Sequence, residues 1–526
     1  MNRDPIIKGT LVLSGAMLVN RILGAIYRIP LSRLIGAEGL GLYQLVYPIY
    51  DIIAIFAIGG IPLATSKLIA EDMANNNSRG ILRIFRVSLG LLFLTGTAGS
   101  LLLYIGAEFF ANNLIREPRT YYAMVSIAPG ILFMALDSAF HSFFRGISKM
   151  TPSALSGIVE QMARIVTMLS LGYAFMAKGI EYAAAGIALG TVSGGIAGIM
   201  SFIWLYSRER KEIKVHNTRK SDSLSILLYK LFSMAIPLVL GSLIHPITHS
   251  INAMLIPARL RNAGVGPTEI IKVYGEMTGM AMPFIYFPTI ITGALATNLM
   301  PAIAGASAIN DMAKVRRRTR QALRIVSLIG FPVSTVLFLL SNELCQVLFA
   351  ASSAGTILKY LAMGSFFICL IQITGAILHG LGDTLSPVKH RLISSSTKIA
   401  LIYILGGMPG LGIKGVAIAY TAGLAITGSL NLIKLLTRVR PGIDVNAFII
   451  KPGSATLGTA LFIRPIYLWV STGTNMLLGI LISIIVASFI YLLLLIILGG
   501  IKRRDILLIP RIGQKTARFL ESLGLL

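Results

Sequence analysis

Residues 8–35 read KGTLVLSGAMLVNRILGAIYRIPLSRLI, an apolar stretch long enough to cross a bilayer as one helix. It nevertheless carries Arg21 and Arg28. Seven residues is close to two helical turns, so both guanidinium groups fall on one helix face, with Asn20 on the adjoining face. A charge at membrane depth costs about 2.5–3.5 kcal/mol on insertion scales, so such side chains turn toward a protein interior or a watery cavity. Arginine keeps its charge and donates two hydrogen bonds from a rigid fork, which suits a phosphate. The pair therefore reads as a place to hold an anion inside a membrane bundle. For Arg28 the competing reading is snorkelling to the outer interface.

The rest of the chain has the same character. It is 55% hydrophobic and 13% charged, with mean hydropathy +0.78, whereas an ordinary soluble chain carries about 25% charge. Apolar stretches of spanning length recur fourteen times, near 8–35, 41–70, 83–110, 120–144, 153–178, 182–207, 226–257, 270–304, 321–348, 356–380, 387–408, 414–437, 448–470 and 475–499. The expected fold is an all-α membrane protein. The first stretch runs past signal-peptide length and no small-residue cleavage site follows it, so no cleavable leader is expected.

A formal net charge of +26 raises nucleic acid as a partner, but the positions of the charges argue against it. With the N-terminus inside, 34 of the 47 Lys and Arg fall in cytoplasmic segments, nine in outer loops, and four within spans: Arg21, Arg28, Arg164 and Arg464. That bias is the positive-inside rule, and it predicts both termini in the cytoplasm of a cell that keeps this protein in its inner membrane. Cys345 and Cys369 fit neither a disulfide framework nor a metal motif and read as small apolar fillers.

The chain also repeats itself. Leu63-Ala64-Thr65-Ser66 recurs as Leu295-Ala296-Thr297-Asn298, and Arg145-Gly146 leading to Pro152 recurs as His379-Gly380 leading to Pro387. Gly186, Gly190, Gly194 and Gly198 are answered by Gly415, Ala419, Gly423 and Thr427. Small residues at every fourth position let helix backbones approach closely in lipid, which is a packing device. Offsets of 225 to 235 persist over six spans, an even number, so the two copies are parallel repeats. The expected layout is an N-lobe at 1–210, a basic linker at 211–224, a C-lobe at 225–440, an appended helix pair at 441–500 and an amphipathic tail at 501–526. Two facing six-helix lobes are a transporter plan with the site near the midplane.

The remaining intramembrane polar residues each have a plain alternative. Asp51 reads as a pairing partner for an arginine or as an ion-coupling group. Glu160 and Arg164, four apart, read as a self-neutralising pair or as a second cationic point on a cavity wall. Asp137 and His141 share that spacing and read as a self-satisfied pair. The second copy has no match for Arg21 or Arg28; it offers His245, His249 and Asn252 on one face, with Pro237 and Pro246 interrupting the helix. Those histidines are proton-carrying or structural, and Glu276 is a charge-balancing candidate. Lys398 and His379 read as snorkelling residues near cytoplasmic ends. No Walker A loop, HExxH or GxSxG is present, so enzyme chemistry and a built-in ATPase are not expected.

Several strings resemble the stage V sporulation protein B family: Lys8-Gly9-Thr10, Arg21-Ile22-Leu23-Gly24 with Arg28, Gly39-Leu40-Gly41-Leu42-Tyr43, Ser66-Lys67-Leu68-Ile69-Ala70-Glu71, Glu160-Gln161 with Arg164, and Gly179-Ile180-Glu181-Tyr182-Ala183-Ala184-Ala185-Gly186. The match is strongest over the first 210 residues. That family sits beside the lipid II flippases in the multidrug/oligosaccharidyl-lipid/polysaccharide exporter superfamily. The resemblance implies fourteen helices in two lobes and export of a lipid-linked cell-wall precursor during spore cortex formation. Lipid II flippases carry a comparable arginine pair in the first helix, plus arginines in helices two and eight, where this chain has Asp51 and Glu276.

The resulting expectation is an alternating-access flippase for an undecaprenyl-pyrophosphate-linked saccharide, with Arg21, Arg28 and Arg164 holding the pyrophosphate. Asp51, Glu160, His245, His249 and Glu276 are the charge-balancing or coupling candidates. Expected partners are the lipid-linked anionic saccharide, membrane lipid and cell-wall synthesis enzymes, with no nucleic acid, metal or cofactor; Na+ coupling and the membrane potential are the open drives. The rival readings are a cation-coupled multidrug exporter and a non-transporting scaffold for cell-wall synthesis.

Overall fold

The computed structural model describes residues 5–212, 223–442 and 444–500. The basic linker and the expected amphipathic tail lie largely or wholly outside them. Helix follows helix, with no strand among the described residues. In chain order the α-helices are α1 (Pro5–Ile26), α2 (Arg28–Ile58), α3 (Ile61–Ala74), α4 (Ser78–Phe109), α5 (Tyr121–Ile127), α6 (Pro129–Gly146), α7 (Thr151–Met176), α8 (Ile180–Glu212), α9 (Leu224–Ser242), α10 (Ile244–Asn262), α11 (Pro267–Gly275), α12 (Met282–Tyr286), α13 (Thr289–Ala308), α14 (Met312–Leu339), α15 (Ser341–Phe349), α16 (Ser352–Leu361), α17 (Gly364–Gly380), α18 (Leu385–Leu405), α19 (Ile413–Val439), α20 (Lys451–Ser471) and α21 (Met476–Ile497).

Each expected span is met by one helix or by a broken series of them. α1 passes into α2 with little interruption: Tyr27 N–H still bonds Leu23 O at 3.0 Å, and Leu31 N–H bonds Tyr27 O at 3.1 Å. The true end of the first span is Gly36, whose φ of +66° a side chain would strain. Among the described residues nine helices are long and apolar enough to cross a membrane, or ten if α16 and α17, bent by 47°, form one span. Among the other expected spans, the seventh is divided between α9 and α10 and the eleventh is diluted by charge. A π-helical segment at Glu276–Ala281 separates α11 from α12, and α18 carries Lys389, Arg391 and Lys398.

Starts follow local chemistry. Asn77 accepts a hydrogen bond from Gly80 N–H at the head of α4, and Asp311 accepts one from Lys314 N–H at the head of α14. Pro129, Pro152 and Pro267 occupy first-turn positions, where the missing N–H costs nothing.

The chain divides into two compact units, one up to Gly279 and one from Met280. The first therefore includes α9–α11. There α2 and α11 cross at backbone contact: a Cβ on Gly41 would lie 2.2 Å from Ile271 O, and one on Gly275 would lie 1.9 Å from Ala37 O. Ser250 of α10 donates to Pro48 O of α2 at 2.9 Å. The unit's core is aromatic, with Phe85, Phe140, Phe143, Phe144 and Phe202 all buried. The second unit buries Ile303, Val326, Ile373, Ile377 and Leu435 together. Its appended pair α20–α21 is tied to α14 through Tyr491, whose hydroxyl donates to Leu328 O at 3.1 Å. Large apolar side chains face outward, Ile105 at 77% and Trp469 at 80% exposure, as lipid contact requires.

Candidate functional site

The polar residues of the first unit gather where α1, α2, α6, α7 and α8 meet. The glycine ridge of α8 lies directly on α7. A Cβ on Gly186 would stand 2.7 Å from Leu171 O, and one on Gly194 would stand 3.0 Å from Glu160 O and 3.1 Å from Arg164 Cβ. This close approach seats Glu160 and Arg164 beside α8. Ser156 Oγ fixes the pair of helices further by donating to Gly198 O at 2.9 Å.

Arg164 Nη2 donates to Glu160 Oε1, the i,i+4 pair expected from the sequence. Its Nε is buried with no hydrogen-bond partner. Beyond Glu160, the ionisable groups within electrostatic range of Arg164 include Asp137 of α6 and Tyr27, Tyr43, Tyr47 and Tyr50. Tyr43 and Tyr47 share a 2.6 Å hydroxyl hydrogen bond, and Tyr47 reaches Thr191 Oγ1 of α8 at 3.0 Å. On α6, His141 Nε2 lies 3.4 Å from Asp137 Oδ2, so that expected pair forms. Asp137 Oδ1 is nonetheless buried without a hydrogen-bond partner.

Arg21 and Arg28 lie on the segment that packs against the same α7. Asn20 Nδ2 would be 3.1 Å from a Cβ on Gly157, and Gln161 Nε2 lies 4.0 Å from where Gly24 would carry one. Arg21 is exposed and Arg28 half-buried, and neither has a hydrogen-bond or ion-pair partner among the described residues. Asp51 is half-buried on α2 and pairs with neither of them. Glu276 is 2% exposed at the first residue of the π-helical segment. His249 is half-buried on α10 beside the buried Asn252. His245 belongs to the same helix, and its side chain lies outside the described residues.

Two signals escaped the sequence reading. Tyr43, Tyr47 and Tyr50, at i, i+4 and i+7, place a hydroxyl-bearing stripe on one face of α2. Lys398 is the other. It lies well inside α18, not at a cytoplasmic end, with its ammonium 4.6 Å from the centre of the Tyr420 ring and its stem against Gly423, whose Cβ would stand 3.1 Å from Lys398 Cβ. The stem lies along the ridge glycine and the ammonium rests on the Tyr420 ring of the paired helix. The repeat offset could have found it, because Arg164 to Lys398 is 234 residues, the same as Arg145 to His379.

Residues 6–307 match the family model described as polysaccharide biosynthesis protein. The chain belongs to that family. It is 29% identical over 524 residues to stage V sporulation protein B of Bacillus subtilis, covering 98% of this chain and 100% of that one. It is 24% identical over 421 residues to lipid II flippase MurJ of Bacillus subtilis, covering 75% and 76%. Among solved structures it resembles lipid II flippase MurJ in an inward closed conformation, with a TM-score of 0.68 at 17% identity over 94% of this chain and 100% of that one. A multidrug resistance MATE family transporter of the MOP superfamily, inward-facing, gives 0.66 at 15% identity over 82% and 98%. This family member is thus a multi-pass membrane protein, and its fold is the one seen in the MurJ and MATE structures.

Proposed function

We propose that the chain is an alternating-access flippase that exports an undecaprenyl-pyrophosphate-linked saccharide, a peptidoglycan or spore-cortex precursor, across the cytoplasmic membrane, with both termini inside. The observation that carries this reading is the contrast between cations in the first unit. Arg164 is held by Glu160, whereas Arg21 and Arg28, on the segment packed against the same helix, have no recorded protein counter-ion among the described residues. Arginines left without a carboxylate at membrane depth call for an anionic ligand. A pyrophosphate diester with two charges fits them, and Arg164 Nε, buried and unpartnered, is a third donor to it.

The drive needs no acidic coupling group. Moving two negative charges outward across an inside-negative membrane gains about 2.3 kcal/mol per charge per 100 mV. The names of the relatives, a sporulation protein and a lipid II flippase, agree with this substrate class. The test is complementation of a flippase-deficient strain by Arg21→Gln and Arg28→Gln, with membrane amounts matched by immunoblot. Export should collapse in the double variant; full complementation would overturn the reading. A drug exporter would instead leave complementation absent in the wild type and raise drug resistance on overexpression.

A further inference from the structure

A separate cavity of about 490 Å³ opens at the end of the first unit remote from Lys149 and Glu209, lined by Glu108, Asn112, Arg119, Tyr121, Tyr122 and Glu181, with Pro118 at its edge. That volume falls within the range of roughly 300–1,000 Å³ usual for ligand sites. The distribution of Lys and Arg puts this end outside the membrane.

Its walls are aromatic. Tyr122 stands between two other rings, its centroid 5.4 Å from Tyr121 at 75° and 4.6 Å from Tyr182 at 34°. Its floor is fixed: Arg119 donates from Nε to Glu117 Oε1 at 2.7 Å and from Nη1 to Glu38 Oε1 at 2.6 Å. Two carboxylates already hold that guanidinium, so it is oriented before any ligand arrives. Glu108 and Glu181 have no ion-pair or hydrogen-bond partner among the described residues. Gly179 makes room for Glu181, since a Cβ there would stand 3.0 Å from its Oε1.

The charge count decides what this cavity refuses. Arg119 is already matched by Glu38 and Glu117, and Glu108 and Glu181 stand unpaired in the lining, so a phosphate finds no free cation among the lining residues. What remains is a set of acceptors, one amide that both donates and accepts, one fixed donor and flat apolar ring faces. Sugar rings offer the complement: hydroxyls in pairs for carboxylates and amide, and C–H faces for the tyrosines. A tyrosine belt at the lipid interface would need the rings, but not the two unpaired carboxylates and the amide beside them.

We infer that this cavity is a second substrate site, one that takes the neutral saccharide of the exported molecule on the outer side. It rests on the flippase reading only for the source of the sugar. The arginines would hold the phosphate end, and this cavity the glycan end, of one amphiphile.

The experiment is saturation-transfer difference NMR on the full chain in lipid nanodiscs, with N,N′-diacetylchitobiose and maltose as probes. Saturation of the ring protons of at least one sugar is expected. It should be lost in Tyr122→Ala and in Glu108→Gln, and kept in Tyr122→Phe, whose ring survives and whose folding controls for the alanine variant. No saturation for either sugar, or saturation that persists in both Tyr122→Ala and Glu108→Gln, overturns the inference. Arg28→Gln separates the two proposals: it should keep the sugar signal while export falls, so a failed complementation test leaves this result standing, and the reverse.

Discussion

The helix pairs α7–α8 and α18–α19 hold the same place in the two copies of the repeat and treat their intramembrane cation differently. In the first, Arg164 meets a ridge glycine, Gly194, and is paired with Glu160 one turn away. In the second, Lys398 meets the matching Gly423, but Ser394 stands where Glu160 would be, and it donates to Gly423 O instead. Lys398 has a tyrosine ring for company and no carboxylate among the described residues. The scaffold is duplicated and the electrostatics are not. One copy neutralises its cation internally; the other leaves it to an aromatic face.

The sharpest way to break this comparison is to remove both cations in turn. Arg164→Leu strands Glu160 in a low-dielectric setting. Loss of one partner from a fully buried pair costs about 3–5 kcal/mol. Because the two side chains are 27% and 25% exposed, the lower end, about 3 kcal/mol, is expected. Lys398→Leu strands no charge and forfeits a cation–π contact of about 1–2 kcal/mol, partly offset by relief of lysine desolvation. Thermal unfolding of the purified proteins in one detergent should therefore fall clearly for Arg164→Leu and little for Lys398→Leu. Equal losses would mean that Glu160 and Ser394 play the same part. Glu160→Gln in the Arg164→Leu background should recover much of the loss.

The next largest effect tests the shared scaffold. A Cβ on Gly415 would stand 2.4 Å from Leu405 O, a backbone atom that cannot step aside. Gly415→Ala should cost about 2 kcal/mol by overpacking. At Gly423 the nearest atom is Lys398 Cβ at 3.1 Å, which needs a shift of only a few tenths of an ångström, so Gly423→Ala should cost clearly less than Gly415→Ala. The same melting assay checks both, and an intolerant Gly423 would mean that the lysine stem is fixed.

How much of this was legible beforehand follows the period of the signal. The ridge glycines announce themselves every fourth residue, and the structure places them on the neighbouring helix as that spacing demands. The Glu160–Arg164 and Asp137–His141 pairs are local in sequence, and they form. The tyrosine stripe on α2 and its link to Thr191 join residues 144 apart, and no local period encodes such a partner. Gly36, at φ +66°, falls in the gap expected between the first two spans, whereas Gly59 lies inside the second expected span and only the backbone, at φ +52°, shows that it ends a helix. The Arg119 clasp with Glu38 and Glu117 was invisible for the same reason, since Glu38 comes from 81 residues away.

The smallest effect concerns one end of each copy, where a loop is tied to the last helix by an ion pair of opposite polarity. In the first copy Lys149 of the loop meets Glu209 of α8. In the second Asp383 of the loop meets Arg438 of α19 at 3.0 Å, and Arg438 also donates to Leu381 O at 2.9 Å. Offsets of 234 and 229 residues relate the members, so the tie persists while its charges are exchanged. Exposed pairs of this kind contribute about 0.2–1 kcal/mol. Lys149→Glu should lower stability by about that much, and adding Glu209→Lys should return it. Asp383 does more than pair, because it also accepts from Ser386 N–H at 3.1 Å and from Ser386 Oγ at 2.9 Å at the head of α18. Partial burial raises the pKa of its carboxyl, but the Ser386 donors and the Arg438 guanidinium outweigh that and hold it below the ordinary value. A depressed folded pKa gives stability that is complete above the unfolded value of about 3.9 and is lost as pH falls through the folded one. Between pH 6 and pH 3 the wild type should therefore lose a small increment that Asp383→Asn, already uncharged at pH 6, does not. Parallel melting curves for the two proteins across that range would show that neither the Ser386 donors nor the Arg438 guanidinium favours the charged carboxylate.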